Sequence, residues 1–287
     1  MKYSVTSVIL PDLDVVETCR LLQDLGYDGV EWRVRYTAES AQGKGYSFWG
    51  EHKTDLSPAN LAERADEVAR ITADHGLEIP AIAASLRCTE LEEVKRLADG
   101  VARIGTIPIR LGAPRSYDRS VPYQELYDEA VEAFGHALDV LREFGLRGII
   151  EIHGGTIMVS ASFAYRVASN FPASEMGVIY DVNNMAKDGF ETFRMGLELL
   201  GDYLQHCHAG GWRPVEKGRR EDGAAEWDYE GCDLADGILD VPEFLSDLRA
   251  VDYDGFISIE DFRQMDYREK LGRQIEFLRA VEQGMAS

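Results

Sequence analysis

Cysteine is scarce. Cys19, Cys88, Cys207 and Cys232 are the four in 287 residues, widely scattered and without a C-x-x-C pair. That pattern excludes a secreted disulfide framework and a cysteine zinc cluster, and it suits a reducing compartment. Long apolar runs are absent as well: none approaches the roughly 18 residues that span a bilayer. The first segment, Met1 to Leu10, leads into Asp12, Asp14 and Glu17 rather than a small-residue cleavage site. It reads as a first strand, and the chain as a cytoplasmic protein with no membrane partner. Basic residues are outnumbered, with 30 Lys and Arg against 51 Asp and Glu and a formal net charge of −21. Such a surface repels polyanions, so no nucleic acid is expected as a partner. Linkers are missing too. No Pro/Ser-rich tract, low-complexity stretch or shift in composition marks a second domain, and 45% hydrophobic residues exclude a disordered chain.

What is present is an alternation. Short apolar, β-branched runs separate longer segments of 3.6-residue periodicity, the mark of parallel βα units. Eight strands are expected, near Tyr3 to Leu10, Gly29 to Val34, Glu78 to Ala84, Ile107 to Arg110, Gly148 to His153, Gly177 to Asp181, Leu204 to His208 and Gly255 to Asp261. Helices fill the gaps. Ser57-Pro58 is expected to cap one helix and Thr89 with Glu92 to form a capping box on the next, while Gly26, Gly76 and Gly145 stand where left-handed helix stops are needed. The fold class is therefore α/β, a (β/α)8 TIM barrel in one domain over residues 1–287. Two long connections, Arg35 to Leu56 and Ala209 to Asp240, follow strand ends and are expected to be loops over the active face.

A weak repeat points to that face. Gly26-Tyr27-Asp28-Gly29-Val30-Glu31, Gly145 to Glu151 and Tyr253 to Glu260 share one order: helix stop, turn glycine, apolar strand, glutamate. An apolar strand ending in a carboxylate calls for a cation. Four consecutive strands in the second half deliver Glu151, Asp181, His208 and Glu260 to one rim. Three carboxylates and an imidazole converging would repel without a divalent ion, and an oxygen-rich set with one nitrogen suits Mn²⁺, Mg²⁺ or Co²⁺. His206 shares the face of His208 and is the alternative ligand on that strand.

These residues resemble the xylose-isomerase-like TIM-barrel superfamily of sugar isomerases and epimerases, over essentially the whole chain. The resemblance rests on the glycine-led strand starts, Glu151, Asp181, Cys207-His208-Ala209-Gly210 and Ile259-Glu260. It implies the ketose 3-epimerase arrangement, in which Mn²⁺ is held by Glu151, Asp181, His208 and Glu260. The two glutamates would also serve as the acid/base pair, and a proton would be removed through an enediolate. A sugar or keto-sugar substrate and a homo-oligomer follow from the same likeness. There are departures. The glutamate that the epimerases place shortly after the first ligand is missing in Gly154 to Met158, and Asn184 stands where they have a histidine. Arg213 lies close to where they use an arginine on substrate.

His153, two residues beyond Glu151, shares its face and is either a proton-transfer group or a hydrogen-bonding partner that orients Glu151. Glu-x-His on this strand also resembles the α subunits of C-glycoside deglycosidases, carbon–carbon lyases on 3-oxo-sugars that work with a small β partner subunit. A sugar-binding barrel without catalysis is the third reading. The expected substrate contacts are Arg213, Asn184, Trp212 and Glu31, beside His153. Arg87 and Arg110 are expected to pair with Glu31 or to clamp an anion. Trp49 and Trp212 are expected to pack their loops, and Glu216 to Asp222 to form a solvated tip.

Overall fold

The structure, a computed structural model, describes residues 1–189 and 191–285; the last two residues of the expected domain lie outside the described residues. In chain order the elements are β1 (Lys2–Thr6), α1 (Val15–Leu25), β2 (Gly29–Val34), α2 (Leu61–Asp74), β3 (Ile82–Ala84), α3 (Leu91–Ile104), β4 (Ile109–Arg110) and α4 (Tyr123–Glu143). There follow β5 (Gly148–Glu151), α5 (Ala161–Ala168), β6 (Met176–Asp181), α6 (Val182–Asp188), α7 (Phe193–Leu200) and β7 (Leu204–Ala209). The remainder are β8 (Gly211–Arg219), β9 (Ala225–Cys232), α8 (Val241–Ala250), β10 (Phe256–Ile259) and α9 (Tyr267–Met285).

Eight strands close into a parallel barrel in the order β1-β10-β7-β6-β5-β4-β3-β2, with β8 and β9 as a separate hairpin. The barrel strands are buried on both faces, as in β2, β5, β6 and β10. Hence they read as unbroken apolar runs and not as alternation. Most of the apolar core lies between strands and helices. Inside the barrel, on the side chains that share a face with Glu151 and Asp181, it shrinks to Ala81, Ile149 and Ile179. The opposite side of the interior is polar: Ser4 Oγ is 2.6 Å from Ser258 Oγ, which is 3.1 Å from His206 Nε2. That polar column carries the site. Among the described residues no helix is long and apolar enough to cross a membrane.

The glycine stops behave as expected, with positive φ at Gly26 (80°), Gly76 (70°) and Gly145 (67°). The caps do not. Asn60, not Ser57, is the N-cap of α2, and its Oδ1 accepts from the Ser57 backbone N–H; Glu90, not Thr89, precedes α3, with no capping side chain. The Glu90 carboxylate turns back to accept from the Arg87 amide instead. A capping box is at α1, where the Asp14 and Glu17 carboxylates each accept from the other's backbone N–H at 2.9 Å. The connection from Ala209 to Asp240, expected as a loop, contains the β8–β9 hairpin, whose strands are exposed or half-buried along nearly their whole length and so carry no apolar period to read. Glu216 to Asp222 runs from β8 into its turn. The short helix α6 was likewise not expected; it begins directly at Asp181.

Candidate active site

The C-terminal ends of β5, β6, β7 and β10 bring Glu151, Asp181, His208 and Glu260 together. One ligand-type atom from each lies within 4.8 Å of the others. His208 Nδ1 is 3.2 Å from Glu151 Oε1, 3.6 Å from Glu260 Oε1 and 3.7 Å from Asp181 Oδ2. Register explains the convergence: Asp181 is paired with His208, and His208 with Ser258 two residues before Glu260. Asp181 is held twice over, because as the N-cap of α6 it accepts from the Asn184 amide at 2.9 Å and from Asn184 Nδ2 at 2.5 Å. Gly210 permits Glu260 to sit where it does. A Cβ there would fall 2.2 Å from the Glu260 carbonyl and 2.6 Å from Asn183 Nδ2.

The other ring nitrogen, His208 Nε2, lies 3.1 Å from Glu31 Oε2. An ionised carboxylate only accepts, so Nε2 donates to Glu31; Nδ1, which meets Glu151 at 3.2 Å, is the nitrogen that a cation among the three carboxylates would take. His206 lies behind, its Nε2 3.5 Å from the same Glu31 oxygen, so β7 supplies the rim with His208 and the interior with His206. Glu31, expected as a substrate contact, is fully buried beneath His208 and is not part of the cavity lining. Burial pushes its carboxyl up, but His208 and the hydrogen bonds from both histidines outweigh it and hold it well below the usual range.

The cluster is short of positive charge. Arg110 Nη2 pairs with Glu151 and its Nη1 donates to the Ala84 carbonyl at 2.9 Å, so its partner is Glu151 and not the expected Glu31. Arg87 is exposed. Burial and then the neighbouring Asp181, Glu151 and Glu31 carboxylates push Glu260 up to about 8 against the pull of His208. Burial lowers His208, yet Glu31 and Glu260 drive it well above its ordinary value. Four carboxylates around one guanidinium and two imidazoles would be relieved by a dication at Nδ1, and three oxygens with one nitrogen suit such an ion.

Above the cluster opens a cavity of about 380 Å³. Its floor includes Glu151, His208 and Glu260, and its walls include Phe48, Trp49, Trp212 and Phe262. Trp49 stacks on Phe262 with centroids 5.4 Å apart, and Lys187 Nζ lies 3.3 Å from the Trp212 ring centroid. Both tryptophans thus pack, as expected, and also face the cavity. Asn184 lines it as expected. His153 lines it and an adjoining cavity, its Nδ1 2.6 Å from the Gly154 carbonyl, which leaves Nε2 as the acceptor. Arg213 is elsewhere: on the hairpin, exposed, with its guanidinium bound to Glu230 and outside the cavity lining. Sequence reading missed Arg35, Lys187, Phe48 and Phe262. Arg35 alone had a signal, since it continues the inward parity of Glu31 and Arg33; Lys187 belongs to the unexpected α6.

A comparison with curated protein sequences finds no match. The model of the xylose isomerase-like TIM barrel family matches residues 19–281. The chain belongs to this family. Among solved structures it is similar to 3-keto-D-glucoside 4-epimerase YcjR from E. coli, with 15% identity over 98% of this chain and 99% of that one and a TM-score of 0.70. D-psicose 3-epimerase is similar at 17% identity, 98% and 99% coverage and a TM-score of 0.68. The IOLI protein, solved with a bound zinc atom, is similar at 16% identity, 98% and 96% coverage and a TM-score of 0.69. At these identities the likeness is one of fold and bears out the barrel, while the family match bears out the family expected from the glycine-led strands and the ligand set.

Proposed function

We propose that the chain is a divalent-metal-dependent isomerase or epimerase of a sugar or keto-sugar. The observation that carries this reading is the approach of Glu151, Asp181 and Glu260 to within 3.2–3.7 Å of His208 Nδ1 at the floor of a sugar-sized cavity. Glu151, Asp181, His208 and Glu260 would hold the ion, with Mn²⁺ first and Mg²⁺ or Co²⁺ as alternatives; the zinc of the IOLI structure supports a divalent ion in this fold. When bound, it supplies electrostatic stabilisation for the negative charge that develops as a proton leaves the carbon beside a carbonyl. Glu151 and Glu260 flank the reacting carbon, one removing a proton and the other returning it on the opposite face. Asp181 stays a fixed anion, locked by Asn184. The aromatic walls exclude water and pack against the sugar ring.

His153 favours a second reading. Its Nε2 is an acceptor at the junction of two cavities, as a base for elimination from a 3-oxo-C-glycoside requires. One assay separates the readings. With Mn²⁺ supplied, deuterium incorporation and products are followed on free ketoses and on 3-oxo-C-glycosides, comparing wild type, His153→Ala and Glu260→Gln. Ketose exchange that survives His153→Ala and is lost in Glu260→Gln supports the isomerase. Aglycone release dependent on His153 supports the lyase, whose small partner subunit would then be sought. Binding with no exchange and no release supports a sugar-binding barrel and overturns both.

A further inference from the structure

The wall of the cavity across the barrel from Asp181 is basic, and its charge is unmatched. β2 stands opposite β6 in the strand order, and its inward residues step from Glu31 through Arg33 to Arg35 at the rim. Arg33 is 1% exposed, and among the described residues its side chain has one hydrogen-bond partner, the Gly50 carbonyl, to which Nη2 donates at 2.8 Å. Arg35 lines the cavity. Its Nε is enclosed, and among the described residues its side chain has no hydrogen bond and no ion pair; its ring contact is Trp49, 5.6 Å away. Arg33 Nε is likewise enclosed and without a partner. The next cation round the rim, Arg110, is already committed to Glu151.

A buried and a half-buried guanidinium side by side, with enclosed Nε donors unused and no carboxylate on either, are costly to fold. Burial and then Arg35 push Arg33 down to about 9, and burial with the Arg33 charge pushes nearby His52 down to about 3, so His52 stays neutral. Arrangements of this kind are kept where an anion arrives to use them, and a guanidinium presents paired donors to a carboxylate or phosphate. The negative charge at the floor cannot be that partner, because Glu151 faces Arg110 and Glu260 faces His208.

We infer that Arg35, with Arg33 behind it, forms an anion subsite, so that the substrate is a keto-sugar carrying a carboxylate or phosphate at the end remote from its reacting carbon. This rests on the isomerase reading for the position of the reacting carbon, not for the anion itself. A substrate with its carbonyl end over Glu151, His208 and Glu260 extends toward β2, past Trp49 and Phe262. The charged end would then meet Arg35, and it would distinguish acid sugars and sugar phosphates from their neutral counterparts.

The test uses three ketoses with one carbon skeleton: D-fructose, D-fructuronate and D-fructose 6-phosphate. Their affinities for Mn²⁺-loaded protein are measured calorimetrically for wild type, Arg35→Gln, Arg35→Lys and, as a cation outside this wall, Arg87→Gln. Wild type should bind one anionic ketose about tenfold more tightly than D-fructose, the worth of one charge-assisted hydrogen-bonded pair. Which anion is preferred decides between carboxylate and phosphate. Arg35→Gln should reduce the preference to less than about twofold, and Arg35→Lys should retain part of it. Arg87→Gln should keep it whole. Retained far-UV circular dichroism and cooperative unfolding show that the variants fold. No preference in wild type, no binding by any anionic ketose, or a preference that survives Arg35→Gln overturns the inference. Solvent exchange at the carbon beside the carbonyl is read in parallel. A lost preference without any exchange in wild type keeps the anion site and removes the isomerase; exchange without preference does the reverse.

Discussion

His208 Nε2 and Glu31 Oε2 stand 3.1 Å apart in the closed interior of the barrel, and this contact decides which way the imidazole faces. With Nε2 donating to Glu31, Nδ1 is the nitrogen that faces Glu151, Asp181 and Glu260. Such outer partners orient a metal-binding histidine and raise its basicity. Glu31→Gln should therefore weaken Mn²⁺ binding by about 10- to 100-fold, as loss of such a partner does elsewhere. Metal titration against a fluorescent competitor checks it, and an unchanged affinity would mean that the tautomer is set otherwise.

Gly210→Ala should damage the site without unfolding the barrel. The new Cβ has no room beside the Glu260 carbonyl and Asn183, so backbone at the end of β10 must move. A displacement approaching 1 Å at a reacting group costs on the order of 10²-fold in rate. Steady-state kinetics should show that loss in kcat, with a melting temperature that changes little by comparison.

Arg110→Gln removes the cation that sits against buried Glu151. Breaking a buried pair costs about 3–5 kcal/mol, because the carboxylate is left uncompensated. Urea unfolding should register that loss in chelator and a smaller one with Mn²⁺ present, since an ion at the cluster takes over the compensation.

Stability should rise with pH in a defined window through Lys270. Its Nζ is enclosed and donates to the Asp261 carbonyl at 2.7 Å and the Arg263 carbonyl at 3.1 Å, and burial pushes its pKa from 10.5 down to about 8. Between those values the unfolded chain holds a proton that the folded chain has released, so unfolding free energy increases with pH. Below about 8 both states are protonated and the contribution is flat. Denaturation of wild type against Lys270→Met from pH 7 to 11 checks this; the wild type should gain up to about 3 kcal/mol more than the variant across the window.

The barrel was legible because its strands are covered on both faces and end in glycine-led turns, a pattern that survives any detail of packing. The four converging residues were legible because each stands at the end of such a run. Glu31 had the same signature as Glu151 and Glu260, yet it lies a layer deeper; depth along a barrel is set by stagger between strands, which no single strand records. Arg213 was misplaced because the hairpin that carries it is exposed and lacks apolar alternation, so nothing in the sequence told strand from loop. The helix caps failed for a related reason. Ser57 and Thr89 have suitable side chains, but Asn60 and Glu90 stand at the caps instead, and their side chains bond back to the Ser57 and Arg87 amides.

On the proposed reading, one divalent ion is held by Glu151, Asp181, His208 and Glu260. Manganese titration followed by electron paramagnetic resonance tests it most directly, comparing wild type with His208→Ala and Asp181→Asn. One tightly bound Mn²⁺ per wild-type chain is expected, and at least about a hundredfold weaker binding in either variant, which removes one ligand of the four. Wild type that binds no Mn²⁺, Mg²⁺ or Co²⁺, or variants that bind as wild type does, would contradict it.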